Sequence, residues 1–82
     1  MELRDLDRLY NFNRPLKVLI YSEKPFKVAV EAYVIDRKLV DDDGEIVCDD
    51  INTLDFQHGY NLFMLECDED YLVAKVCRMS ND

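Results

Sequence analysis

Glycine and proline are scarce in this chain, two of each in 82 residues, and tryptophan is absent. So few glycines leave no Gly-rich phosphate loop and no strained nucleophile turn of the G-x-S-x-G kind. Aliphatic hydroxyl and imidazole groups are as rare: Ser22, Ser80, Thr53 and His58 are the whole supply. Nucleophilic catalysis needs such a group beside a base held by a third residue, and the chain offers little from which to build one. Long apolar runs are also missing. The longest, such as Val18–Tyr21 and Leu62–Leu65, are four residues, against roughly 18–20 for a membrane-spanning helix. Cysteine is present three times, as Cys48, Cys67 and Cys77. An odd number argues against a disulfide framework, and reduced cysteines packed on strands are the expectation. The opening MELRDLDRLY alternates charge with Leu rather than showing an export pattern, so a cytoplasmic protein is expected.

What is abundant is acid. Eighteen Asp and Glu face ten Lys and Arg, a net charge of −8. That balance disfavours direct contact with nucleic acid or an anionic membrane and favours a basic partner. The excess is segregated. Residues 1–40 sum to +2, residues 75–82 to +1, and residues 41–74 hold eleven acids with no Lys or Arg.

Length and composition fit one domain over residues 1–82 with a thin core. Residues 2–12 place Leu3, Leu6, Leu9 and Tyr10 at helical spacing, predicting a short helix that Pro15 stops. Strand signals follow at Leu16–Tyr21, Phe26–Ile35, Glu45–Cys48, Tyr60–Cys67 and Tyr71–Met79, rich in β-branched and aromatic residues. Phe26, Val28, Val30, Ala32 and Val34 are expected on one face, with the strand running on through Val40. A helical reading of the same stretch, with Val28, Ala32, Ile35 and Leu39 on one stripe, competes, but its β-branched content favours strand. Asp43-Gly44 reads as a hairpin turn. The expected architecture is α+β and mainly β: a short N-terminal helix, then about five antiparallel strands forming a curled sheet or small barrel.

Two acidic groups, Asp41, Asp42, Asp43 with Glu45, and Asp68, Glu69, Asp70, fall in predicted hairpin turns. Asp49 and Asp50 fall in the connector Asp49–Gly59. Same-face residues on a strand repeat every ~6.8 Å, about twice the ~3.4 Å rise per phosphate on one DNA strand, so a row of carboxylates can imitate a phosphate backbone. Plain solvation is the competing account, since Asp also favours turns for its own hydrogen bonding. Tyr60 and Tyr71 stand beside the acids and suit interface anchors, while Phe56 is read as a plug on the core. Cys48, His58, Cys67 and Cys77 lack the close pair of a zinc motif, and Asp41–Glu45 lacks the spacing of a calcium loop. No cofactor or metal is expected.

These features point to a small non-enzymatic protein whose acids occupy a basic, nucleic-acid-binding surface. That is the chemistry of an inhibitor or nucleic-acid mimic of the phage or mobile-element type, directed at a nucleic-acid-binding protein or nuclease. An immunity protein against a basic toxin is a close variant. The alternative is a structural or assembly subunit that forms homo-oligomers through strand edges.

Overall fold

A computed structural model describes residues 16–79. The helix expected over residues 2–12 lies outside them. The described chain forms six strands: β1 (Leu16–Ser22), β2 (Lys27–Ile35), β3 (Lys38–Asp41), β4 (Ile46–Cys48), β5 (Tyr60–Cys67) and β6 (Leu72–Arg78). They make one open sheet in the order β4-β3-β2-β1-β6-β5. The expectation of a wholly antiparallel series is corrected: β1 and β6 run parallel, and the sheet does not close into a barrel.

The parallel pair follows from the connector between β4 and β5. Parallel neighbours need a crossover rather than a tight turn. Residues 49–59 leave β4 at one edge of the sheet and return as β5 at the other. Five strand spacings of ~4.8 Å amount to about 24 Å. The connector holds two 3-10 turns, Ile51–Thr53 and Phe56–His58. Six residues rising ~2.0 Å each and five extended residues at ~3.3 Å span about 28 Å, more than this lateral step. Asp50 and Asp55 cap the two turns, their carboxylates accepting from the Asn52 and His58 N–H groups. Ile51 N–H donates to the Arg37 carbonyl at the start of the crossing, and Met79 N–H to the Gly59 carbonyl at its end.

The connector lies over the buried face. Leu16, Val18 and Ile20 of β1, Ala32 of β2, Leu39 of β3, and Leu72, Ala74 and Val76 of β6 join Leu54 in the core. Ile51 is buried as well. Ala32, Val18 and Ala74 stand in register across the middle of the sheet, and none is exposed. Burying a Leu or Val side chain contributes about 1.5–3 kcal/mol, so this single apolar layer is the main source of stability.

Two local features depart from the sequence pattern. A bulge between Ile20 and Tyr21 pairs Ile20 with Val30 but Tyr21 with Val28. A bulge shifts the two-residue period by one. Val30 and Val34 therefore pack against the core, while Val28 shares the opposite face with Tyr21, and Phe26 precedes the strand. The predicted strand also does not run on to Val40. It breaks at Asp36-Arg37, both at positive φ (52° and 67°), the geometry of a two-residue hairpin turn that usually takes Asn-Gly.

Candidate partner-binding face

Five of the eleven acids in residues 41–74 serve local structure. Asp41 Oδ1 accepts from the Asp43 and Glu45 N–H groups at 3.0 and 2.9 Å, which shapes the β3–β4 turn around Gly44. Asp50 and Asp55 cap the 3-10 turns. Glu66 holds Lys75 at 2.9 Å, and Asp68 Oδ1 accepts from the Glu69 N–H. Asp55 is buried, and its Oδ1 lies 2.5 Å from Nδ1 of the more exposed His58. Among the described residues Thr53 Oγ1 donates to the Asp50 carbonyl and Ser22 Oγ to the Pro25 carbonyl.

The remaining six, Asp42, Asp43, Glu45, Asp49, Glu69 and Asp70, are exposed. They do not form one patch. The β3–β4 turn and the β5–β6 turn lie about four strand spacings apart, ~19 Å across the sheet, and at opposite ends of it, because β3 and β5 run in opposite directions. Asp49 and Asp50 follow β4 at the end opposite Asp42–Glu45. The sheet therefore carries two acidic lobes with strands between them, and Asp49 stands apart from both.

Between the lobes, on the face away from the connector, stands an aromatic pair. Tyr33 of β2 and Tyr71 just before β6 have ring centroids 5.4 Å apart. Lys17 Nζ lies 5.7 and 5.8 Å from the two centroids and 2.6 Å from Glu31. Cation–π attraction and the carboxylate both favour the charged amine. The Glu31 hydrogen bond raises the Lys17 pKa above its ordinary value. Desolvation, followed by the nearby Asp42 carboxylate, raises that of the Tyr33 hydroxyl. Asp42 thus lies within electrostatic reach of Tyr33 and Lys17, while Asp70 adjoins Tyr71 in sequence. Lys75, held by Glu66, is also raised.

Tyr71 and the two turn clusters accordingly border one face. Tyr60 does not: it packs against the core on the opposite side. Tyr33 was missed by sequence reading, although its position opposite Lys17 follows once β1 and β2 are paired. Phe56 is no plug. It is 64% exposed on the second 3-10 turn. The cysteines are free: Cys48 is half-buried and packs against the core, Cys77 is half-buried, and Cys67 is exposed. Among the described residues no three His, Cys, Asp or Glu side chains are grouped to hold a metal ion, and no helix is long and apolar enough to cross a membrane.

Compared with protein-family models, curated proteins and solved structures, the chain matches none.

Proposed function

We propose that this is a non-enzymatic binding protein that docks its acidic face on a basic, nucleic-acid-binding protein or nuclease and blocks the surface used by the phosphate backbone. The observation that carries this reading is the placement of the Asp42–Glu45 and Glu69–Asp70 lobes on either side of Tyr33 and Tyr71. Two lobes, ~19 Å apart across the sheet and offset along the strands, offer negative charge at two points of a basic groove, and tyrosines between them supply the apolar anchor that charge alone lacks. Opposite charge steers association and makes it salt-dependent. The five carboxylates engaged in turns and ion pairs belong to the scaffold, so the binding acids reduce to Asp42, Asp43, Glu45, Asp49, Glu69 and Asp70.

The test is capture of basic proteins from a host lysate by the immobilised chain, with release by added duplex DNA or by high salt. Joint replacement of Asp42, Asp43 and Glu45 with Lys is expected to abolish capture while leaving the thermal melt in place, since none of the three side chains caps the turn. Capture that survives this triple reversal, or that duplex DNA does not reverse, would refute the reading.

A further inference from the structure

The two lateral edges of the sheet differ. The β4 edge is three residues long and leads directly into Asp49 and Asp50. The β5 edge has eight residues, and its segment Tyr60–Leu65 carries no charge. Phe63, Met64 and Leu65 are 38%, 44% and 38% exposed, and Leu62 to Leu65 line an open depression of about 220 Å³. Nearby, Phe63, Tyr21 and Phe26 form a ring cluster with centroids 4.9–5.7 Å apart, in which Phe26 is 60% exposed. Edge strands are ordinarily protected by Lys, Pro, shortness or a bulge. Tyr60–Leu65 has neither Lys nor Pro, and one bulge at Phe63.

We propose that β5 pairs antiparallel with β5 of a second copy of this chain, about a two-fold axis near Phe63 and perpendicular to the sheet. The distribution of charge selects this occupant and this direction. The middle of the strand is neutral, so the excess acid of both copies stays away from the contact. Antiparallel pairing carries Glu66 and the Asp68–Asp70 turn of each copy toward the start of the other copy's β5. There His58 precedes the strand and Arg78 sits opposite Tyr60. Parallel pairing would instead set the two acidic turns side by side. A persistent interface buries about 1,000 Å² or more in total, and the edge backbone with the exposed Phe63, Met64 and Leu65 of both copies supplies its apolar part. The axis keeps both connectors on one side of the joined sheet, and both Tyr33–Tyr71 faces on the other.

Sedimentation of the full chain tests this from about 5 to 500 µM, because dimer population follows mass action. A monomer–dimer equilibrium is expected, tightening about tenfold or more from 0.01 to 0.15 M salt as screening relieves the repulsion between two −8 chains. That salt dependence is opposite in sign to docking on a basic partner. Met64→Lys is expected to weaken the dimer about tenfold or more by placing an edge Lys, although it reduces the net negative charge. A monomer throughout the concentration range, or a dimer unaffected by folded M64K, would overturn the proposal. Should M64K not fold, disulfide trapping decides. Phe63→Cys combined with Cys67→Ser is expected to give a covalent dimer on mild oxidation, and Asp43→Cys in the same background is not. Equal trapping of the two, or none, would overturn the pairing.

Discussion

Replacing Gly44 with Ala isolates the backbone cost of one turn. Gly44 has φ of +84°, and a Cβ built there meets nothing within 4 Å. Packing therefore contributes no penalty, and only the left-handed conformation is charged against the new residue. That conformation costs an L-residue roughly 1–2 kcal/mol, while Ala recovers about 0.4–1 kcal/mol by restricting the unfolded chain. The net expectation is a loss of about 1 kcal/mol, or a melting temperature lower by roughly 4–8 °C for a domain of this size. Arg37 provides the reverse experiment, since it holds φ of +67° without being glycine. Arg37→Gly should stabilise by several tenths of a kcal/mol, because relief of the left-handed strain is reduced by glycine's unfolded-state entropy and by the lost side-chain contacts. Urea titration followed by far-UV circular dichroism reads both. Unchanged m-values with midpoints moving in opposite directions are expected. If G44A is neutral or stabilising, the β3–β4 turn does not hold a left-handed residue and the reasoning fails.

Leu39→Ala empties a fully buried position and should cost about 2–5 kcal/mol, a large share of a total near 4–12 kcal/mol for this length; a midpoint shift equivalent to under 1 kcal/mol would contradict the single-layer core. Ile51→Ala should cost a comparable amount, and Phe56→Ser less than about 0.5 kcal/mol, so that side-by-side melts separate the connector residue that seals the core from the one that faces solvent. Stability should fall at alkaline pH. Lys17, Lys75 and Tyr33 have raised folded-state values, so their contribution is complete below their unfolded values near 10 and is lost as pH rises through the folded ones. Urea midpoints between pH 8 and 11.5 measure this, and Glu31→Gln should flatten the decline.

Much of the sheet could be read before any strand was paired. The alternation of Leu16, Val18 and Ile20 with Lys17, Leu19 and Tyr21 places β1 half-buried, and Asp43-Gly44 marks the β3–β4 turn by residue type alone. The Asp36-Arg37 turn escaped because neither residue advertises positive φ. The bulge that reverses Val28 escaped because a one-residue slip leaves composition untouched. The connector carried a signal in its length. Eleven residues are too many for a hairpin loop of two to five, and Ile51 and Leu54 within it were apolar residues with a face to seal.

The acids divide the same way. Sequence alone determined their number, their confinement to residues 41–74 and their preference for turns, because charge and local hydrogen bonding need no partner strand. Only the tertiary structure decided which carboxylates are consumed as caps and ion pairs, and that the two hairpin turns stand on opposite sides of the sheet. It also decided that Tyr33 and Tyr71 meet over Lys17 between them. The reason is the crossover. By carrying the chain from one edge of the sheet to the other, it inserts β6 beside β1 and brings together residues more than fifty positions apart, a contact that no local pattern encodes.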